Sequence, residues 1–509
     1  MKHGRQTIFL LLWALAGPKG PISAGAITQP EAGATWATNV YPLGVDGRGV
    51  QVAFVESYIA AYTYRINPQP TNGWAGGYWP STNVFLGKTI TYLDDGDPLD
   101  TNYSSHATMV GQFGVGNPLG WGSPAYIGTA YGATGILNHS VNRFMDYYVA
   151  LGSNPPGQSF SLAFATATND AEYWTAAMDA VVDRYGKVVM AGLPTTNASV
   201  NYGGAHPAGL AASFNVITVG CADGDYTNWG GSTQYGPASP FGNAKPDLLT
   251  AAASGSEAAG RGAGIAALLL NQAARDGWTN GGDPRVVKAI LLAGARKTTP
   301  WDKGAAGTND DHYVPLDYRA GAGIAHCLNN YGILYGGEVN PGATNVRAAW
   351  DFGLVQTNQT NVYLLRLPGT NIHISATLAW NRHVGASTNL PDLNLKLYSV
   401  TNGALDTLQD WSTSRIDSVE HLYWQAGSTS LYALAVEGIG LSASEAYGLA
   451  FQYVAATNRP LYDADADEVP DDFETRYFQE IYHHNASADP DGDGADNFEE
   501  YMADTVPTN

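Results

Sequence analysis

The stretch that decides the fold is SGSEAAGRGAGIAALLL, residues 254–270. Apolar and small residues run through it without a turn cluster, which predicts a helix. Gly260, Gly262 and Gly264 interrupt this helix, and each glycine costs about 0.5–1 kcal/mol relative to alanine. Such glycines are expected where another segment packs directly against the helix backbone. The stretch therefore predicts a buried helix that crosses the middle of an α/β domain.

Ser256 stands at the predicted start of this helix. Unpaired backbone N–H groups and the positive end of the helix dipole favour developing negative charge at that place. A serine there is a candidate nucleophile, provided that a base lies near it. The alternative is that Ser254 and Ser256 only cap the helix, which is the commoner role of serine at such a position.

The length and the first residues indicate a multidomain secreted protein. A chain of 509 residues predicts two or three domains. Lys2 and Arg5 precede the apolar run TIFLLLWALAG and small residues that end at 24–26. This pattern predicts a signal peptide over residues 1–26 and an extracellular or cell-surface protein, with the periplasm as an alternative. The apolar run is too short to span a bilayer as an anchor, so we expect no membrane span in the mature chain.

The net charge of −21 excludes some partners and suggests others. An acidic chain is a poor candidate for binding nucleic acid or an anionic membrane. Most of the excess charge lies in residues 461–509, where a block of carboxylates suggests a bound cation. Cys221 and Cys327 are too few for a disulfide framework, and we expect buried free thiols.

The pattern of apolar residues divides the mature chain into three regions. Residues 27–338 alternate buried strand-like runs with helical stretches, which predicts a parallel sheet with helices on both faces. Residues 339–457 have short alternating runs separated by Gly, Asn, Ser and Thr clusters, which predicts an all-β sandwich of jelly-roll type. Residues 458–509 form the acidic tail, predicted as a small α-helical calcium-loop module.

Two windows of twelve residues in this tail have the spacing of a calcium loop. DPDGDGADNFEE, residues 489–500, has oxygen-bearing side chains at the ligand positions and a glycine at the sharp turn. DADADEVPDDFE, residues 463–474, repeats the spacing but has Glu468 at the turn. The predicted Ca²⁺ ligands are Asp463, Asp465, Asp467, Asp471, Glu474, Asp489, Asp491, Asp493, Asn497 and Glu500. The pair resembles EF-hand-like and dockerin-like modules of secreted bacterial proteins, which implies structural calcium and surface or scaffold anchoring; a disordered tail is the alternative.

Two further segments supply an acid and a base. GVDGRGVQVAFVESY, residues 44–58, places Glu56 at the exit of a buried strand, and SSHATMVGQ, residues 104–112, places His106 at the start of a helix. Taken in order with KPDLLTAAASGS, residues 245–256, they resemble the subtilisin-like serine peptidases (subtilases). That family has the motifs VAVxD[ST]G, HGTHVAG and KPD[VL]xAPG…GTSMAxPHVAGxAAL. The resemblance spans roughly residues 44–337.

The resemblance implies a peptidase mechanism. Ser256 would attack a peptide carbonyl, His106 would take and return the proton, and Glu56 would orient the imidazole. In the family, an Asn side chain just after a strand completes the oxyanion hole. Counting along the corresponding segment of this sequence places Thr195 at that position. Asn197 is the nearest residue with a side-chain amide and is the predicted donor. Residues 159–164 resemble the segment that pairs with the substrate backbone.

Several positions depart from the family pattern. Glu56 replaces an aspartate, HGTH becomes HATM, the residues around Ser256 differ from GTSM, and the amide is displaced. Two hypotheses therefore stay open: a secreted serine endopeptidase that cleaves protein or peptide substrates, and a catalytically impaired binding or surface protein on the same scaffold. A glycan-binding or glycan-cleaving protein built on the β region has little support, because no paired carboxylates stand out there.

The β region also resembles the jelly-roll domain that follows certain bacterial subtilases. The resemblance rests on ATLAW (376–380), LPDLNLKLY (390–398) and SVEHLYW (418–424). Such domains often hold calcium, so Asp392 and Asn394 are candidate ligands, with ordinary polar residues at a strand end as an equal alternative.

Overall fold

The computed structural model describes the greater part of the chain. The described residues are 45–56, 61–62, 78–94, 103–116, 128–166, 171–194, 206–222, 229–232, 234–298, 300–305, 307, 311–345, 348–367, 372–385, 388–427, 431–455, 469, 473, 477–478, 486–503 and 505–508. The predicted signal peptide, Asn197 and the predicted calcium loop at 463–474 lie outside them, apart from Val469 and Phe473.

A parallel sheet forms the centre of the first region. Its strands in the described residues are β1 (Gln51–Glu56), β2 (Thr89–Leu93), β3 (Gly135–Ser140), β4 (Ser159–Leu162), β5 (Val188–Gly192), β6 (Ile217–Ala222) and β7 (Leu248–Ala251). Their spatial order is β7-β6-β5-β4-β1-β3-β2, and every pairing is parallel. The predicted parallel sheet is thereby confirmed, and the carboxyl ends of its strands meet at one edge.

Helices cover both faces of this sheet, as predicted. The long ones are α1 (Ser105–Val115), α2 (Ala171–Tyr185), α3 (Gly255–Asp276), α4 (Pro284–Ala293) and α5 (Cys327–Tyr335). Successive side chains of a strand point to opposite faces. Val52 and Phe54 therefore join the apolar cluster around α3, whereas Ala53 and Val55 join the cluster that contains Trp174 of α2.

The second region is a β-sandwich. Its longer strands are β8 (Ala349–Val355), β9 (Thr360–Arg366), β10 (Ile372–Trp380), β11 (Asp392–Thr401), β12 (Ala404–Ser412), β13 (Val419–Ala426), β14 (Leu431–Ile439) and β15 (Glu445–Ala455). In the described chain, one sheet has the order Thr344–Asn345, β9, β14, β11, β12, and the facing sheet has the order β8, β15, β10, β13. An apolar cluster that includes Trp380 and Phe451 fills the space between them.

The remaining elements are short. Two-residue strands pair Ala61–Tyr62 with Ala165–Thr166, Gly236–Pro237 with Ala244–Lys245, and His383–Val384 with Thr388–Asn389. Single helical turns lie at Thr82–Phe85, Val141–Arg143 and Gly209–Ala212, a π-helix at Phe144–Ala150, and helix α6 of the tail at Asn497–Ala503. Within the described residues, no helix is both long and apolar enough to cross a membrane.

The sandwich and the tail pack on the first region. Ala293 at the end of α4 accepts hydrogen bonds from Ser375 Oγ and Gln452 Nε2 of the sandwich, at 2.7 and 2.8 Å. Val469 and Phe498 of the tail are buried in the same apolar cluster as α3. Residues of all three described regions therefore contribute to the apolar cluster around α3.

Candidate active site

Helix α3 begins where the opening stretch predicts it. Ser254 is the N-cap, and its side chain accepts a hydrogen bond from the Glu257 backbone N–H. Ser254 thus has the capping role, and Ser256 lies in the first turn, where its Oγ is free to face the edge of the sheet. The first turn lies against the end of strand β5. A Cβ added to Gly192 would overlap the carbonyl oxygen of Gly255, and a Cβ added to Gly255 would overlap the carbonyl oxygen of Leu193.

The glycines of α3 are explained by helix α1. A Cβ on Gly260 would overlap the carbonyl oxygen of Val110, and a Cβ on Gly264 would lie 2.7 Å from the carbonyl oxygen of Gly114. Val110 and Gly114 belong to α1, so the two helix backbones touch. Gly262 faces the flexible side chain of Met190 instead. The predicted reason for the glycines, close packing against the helix backbone, is confirmed at Gly260 and Gly264.

Helix α1 carries His106 in its first turn. Ser104 caps the helix by accepting a hydrogen bond from the Ala107 N–H at 3.0 Å. Because α1 lies against α3, the imidazole Nε2 of His106 comes within 2.9 Å of Ser256 Oγ.

Glu56 is the last residue of β1 and lies at the carboxyl edge of the sheet. Its Oε2 is 2.7 Å from His106 Nδ1. The carboxylate is buried, and among the described residues Oε1 has no hydrogen-bond partner. The structure therefore brings Glu56, His106 and Ser256 into one hydrogen-bonded chain, although they are 50 and 150 residues apart in sequence.

Burial and charge raise the pKa values of both Glu56 and His106. Burial raises the pKa of Glu56, and the nearby His106 opposes that rise only in part. Burial also disfavours the imidazolium, but the charge and hydrogen bond of Glu56 outweigh it and leave the pKa of His106 raised. A raised pKa makes His106 a stronger base, which is what removal of a proton from a serine hydroxyl requires.

The surroundings of Ser256 are partly described. The Ala163 carbonyl oxygen, just after β4, lies 3.5 Å from Ser256 Oγ. The predicted substrate-pairing segment 159–164 is thus next to the candidate nucleophile. Asn197, the predicted oxyanion donor, lies outside the described residues and stays a prediction.

The predicted calcium loop at 489–500 lies within the described residues. The ligands predicted in the other loop, Asp463, Asp465, Asp467, Asp471 and Glu474, do not. Carboxylate oxygens of Asp489, Asp491 and Asp493 lie within 4.8 Å of one another. Asp489 also accepts hydrogen bonds from the backbone N–H groups of Gly492 and Gly494, at 2.8 and 3.0 Å. Both glycines have positive φ, as a sharp turn requires.

The final ligand position also fits a cation. Glu500 is only 2% exposed, and its Oε2 has no hydrogen-bond partner among the described residues. Asn497, at the ninth position of the loop, is buried as well. A buried carboxylate oxygen without a partner is costly, and a Ca²⁺ ion bound in the loop would satisfy it.

Other predicted residues have less to do with this site. Cys221 and Cys327 are buried and form no disulfide, as expected, and burial raises the pKa of Cys221 to about 12. Asp392 and Asn394 lie on one face of β11, but no group of three acidic, His or Cys ligand atoms forms around them in the described chain.

Sequence reasoning missed the polar contacts that join the first region to the sandwich. The Asn215 side chain donates a hydrogen bond to the Arg382 carbonyl oxygen at 2.9 Å and accepts one from the Arg382 backbone N–H at 2.8 Å. Asp417 accepts from the Ala244 N–H at 2.7 Å. These partners are 167 and 173 residues apart, and no local pattern signals them.

No protein-family model and no curated protein matches this chain. The chain is similar to a mutant of the protease domain of PatA, with 20% identity, 57% of this chain and 98% of that chain covered, and a TM-score of 0.35. It is also similar to MycP1, a serine protease and component of the type VII (ESX-1) secretion system, with 16% identity, coverages of 61% and 90%, and a TM-score of 0.39. The pre-peptidase C-terminal domain of a collagenase from Bacillus anthracis is 11% identical, with coverages of 23% and 94% and a TM-score of 0.17. At these identities and TM-scores the likeness assigns no chemistry, so the function has to be inferred from the site geometry.

Proposed function

We propose that the protein is a secreted serine endopeptidase of the subtilisin-like class that cleaves protein or peptide substrates. The observation that carries this proposal is the chain of hydrogen bonds from Glu56 through His106 to Ser256, at 2.7 and 2.9 Å, at the start of a helix. A nucleophile next to a base, and a base oriented by an acid, is the arrangement of a serine hydrolase.

The proposed reaction has two stages. Ser256 Oγ forms a bond to the peptide carbonyl carbon while His106 Nε2 takes the hydroxyl proton, and the proton then passes to the leaving amine as the C–N bond breaks. Water repeats these steps on the acyl-enzyme and frees the carboxyl product. Glu56 holds the ring with Nε2 towards Ser256 and stabilises the imidazolium formed in each stage. The Ser256 backbone N–H and Asn197 are proposed to bind the oxyanion.

Fluorophosphonate labelling tests this proposal directly. We expect a probe to label Ser256 in the folded, calcium-loaded protein, and the label to disappear in Ser256→Ala and in His106→Ala. Ser399→Ala, which removes a hydroxyl in the sandwich far from the site, should label like the parent. Casein cleavage should follow the same pattern.

The opposite outcome would favour the alternative function. If the folded protein takes no label and cleaves no unfolded protein, the scaffold serves binding or a surface role instead. In that case the departures from the subtilase motifs, above all at the oxyanion position, would have removed activity.

We propose further that the tail binds Ca²⁺ for stability. The converging carboxylates of Asp489, Asp491 and Asp493 and the buried Glu500 support the loop at 489–500. The ion would supply positive charge and coordinate these oxygens, away from the hydrolytic cluster. The acidic loop at 463–474 is proposed as a second site on its sequence spacing, and anchoring to a surface or scaffold stays a proposal of the same kind.

A further inference from the structure

A cleft of about 730 Å³ lies on the outer face of the five-stranded sheet of the sandwich. Asp392, Asn394 and Lys396 of β11 form its floor. They alternate with Leu393, Leu395 and Leu397, which point into the sandwich core. The volume is within the range of about 300–1,000 Å³ that is usual for small-molecule sites. The cleft belongs neither to the candidate active site nor to the calcium loop.

Two aromatic side chains border the cleft. Trp411 of β12 is paired with Lys396 across the ladder, and its ring stacks on His312 with centroids 3.7 Å apart. Tyr313, from the first region, also lines the cleft and is 69% exposed. The stacking fixes the Trp411 ring before any ligand arrives, so one flat apolar surface is already in place. Preorganised aromatic surfaces of this kind bind at low cost in conformational entropy.

The charges in the cleft cancel. Lys396 Nζ lies 2.7 Å from Glu437 Oε2, and Arg415 faces Asp392 closely enough to act on its carboxyl electrostatically. Glu437 lies beside the cleft and not in its lining, and with it the two cations are matched by two anions. The cleft therefore offers donors on Lys396, Arg415 and Asn394, together with an acceptor on the Asp392 carboxylate.

Strand β11, which forms the floor of the cleft, has neighbouring strands paired to its backbone on both sides. Strand β11 pairs with β14 on one side and with β12 on the other. An extended peptide therefore cannot add to β11 as a further strand, and recognition in the cleft has to be made by side chains. Aromatic faces combined with mixed donors and acceptors suit the apolar ring faces and hydroxyl groups of a sugar.

From this arrangement we propose that the cleft binds a neutral oligosaccharide. The sugar rings pack on Trp411 and Tyr313, and hydroxyl groups donate to Asp392 and accept from Lys396 and Arg415. A glycan-related role has little support from the sequence because no paired carboxylates stand out, but paired carboxylates are needed for cleavage and not for binding. The proposal does not depend on peptidase activity.

Binding to polysaccharides tests this proposal with the full chain in the Ser256→Ala background, which prevents self-cleavage. Retention is measured on cellulose, chitin, xylan and starch, followed by calorimetry with the hexasaccharide of any polymer that retains the protein. We expect retention on at least one polymer. Tyr313→Ala and Asp392→Ala should each raise the Kd at least tenfold. Tyr335→Ala, which removes another exposed tyrosine, from α5, should leave the Kd unchanged.

Three results would overturn the proposal. The first is no retention on any of the four polymers, and the second is retention that survives both cleft substitutions. The third concerns the protein that keeps Ser256 and shows no glycan binding. There, Tyr313→Ala and Asp392→Ala would leave the melting temperature unchanged but raise the KM for unfolded casein. That result would make the cleft a contact site for polypeptide substrates.

Discussion

Glu56 contacts the His106 imidazole through one of its two carboxylate oxygens. Oε2 lies 2.7 Å from His106 Nδ1, whereas Oε1 has no hydrogen-bond partner among the described residues. A carboxylate with a single polar contact is poorly solvated, which explains the direction of its pKa shift. The His106 contact is therefore the main interaction that holds Glu56 ionised.

The pH dependence of the rate follows from this pair. Only neutral His106 accepts a proton, and Glu56 raises the pKa of His106 above its usual value of about 6.5. The rate should therefore fall as the pH drops through a midpoint above 6.5. Glu56→Gln should lower kcat on the order of 10³–10⁴-fold and move the remaining acid limb to lower pH. The measurement is kcat/KM for a chromogenic peptide from pH 4 to 10.

The exposed acid Glu172 of α2 supplies the control for charge removal. Glu172→Gln should keep the parent profile. A rate that stays flat from pH 8 to 5, or a limb that does not move in Glu56→Gln, would contradict the assignment of His106 as the base and Glu56 as its partner.

At the scale of secondary-structure elements, the contact between α1 and α3 sets the geometry of the site. Gly260→Ala and Gly264→Ala would push the two helices apart, because each new methyl group meets backbone of α1 or its neighbours. Overpacking of this kind typically costs about 1–3 kcal/mol. We expect a lower melting temperature and at least a tenfold loss of labelling rate at Ser256, because His106 moves with α1.

Gly262→Ala is the matched control within the same helix. Its methyl group would meet the Met190 side chain at 3.2 Å, and that side chain can move. The higher helix propensity of alanine, worth about 0.5–1 kcal/mol, should offset the contact. If all three substitutions behave alike, close backbone packing is not what the glycines provide.

The calcium loop gives a second prediction at this scale. Removing Ca²⁺ with EDTA should lower the melting temperature and leave the labelling rate of folded protein at Ser256 unchanged. Glu500→Gln should weaken binding of Tb³⁺, followed by luminescence, at least tenfold, because it removes a buried ligand. Glu499→Gln removes the same charge from the exposed side of α6 and should bind Tb³⁺ normally. An unchanged melting temperature in EDTA would contradict structural calcium.

At the scale of the whole molecule, the first region and the sandwich are built as one unit. Helix α4 lies between them, and its residues from Val286 to Ala293 are buried. Gly448 of β15 lies so close to helix α4 that a Cβ added to Gly448 would be 2.5 Å from the carbonyl group of Arg285. A chain cut between the two regions would expose this apolar surface and several backbone groups that the sandwich now satisfies.

We therefore expect a single cooperative thermal transition for both regions in calorimetry. Asn215→Ala should lower the temperature of that whole transition, because it leaves the buried backbone groups of Arg382 unsatisfied at a cost of about 1–3 kcal/mol. The exposed Asn83→Ala should leave it unchanged. Two separate transitions, with only one shifted by Asn215→Ala, would show that the regions unfold independently.

The agreement between prediction and structure depends on how local each signal is. The start of α3, the strand that ends at Glu56 and the helix that carries His106 in its first turn were predictable, because capping residues and apolar periodicity act over a few residues. Asn215 and Arg382 were not predictable as partners, since they lie 167 residues apart and neither stands in a recognisable motif. The neutral cleft was missed for the same reason, because Tyr313 and the β11 side chains meet only after the regions dock.

The sequence by itself determined the types of element, their order and the candidate residues Glu56, His106 and Ser256, since short local patterns predict each of these. Tertiary structure alone decided that His106 Nε2 lies 2.9 Å from Ser256 Oγ, that Glu56 Oε1 has no hydrogen-bond partner among the described residues, and that side chains of the sandwich bond to α4 of the first region. Distances between residues far apart in the chain are fixed by packing, here by backbone contact at Gly260 and Gly264, and packing is a property of the folded molecule.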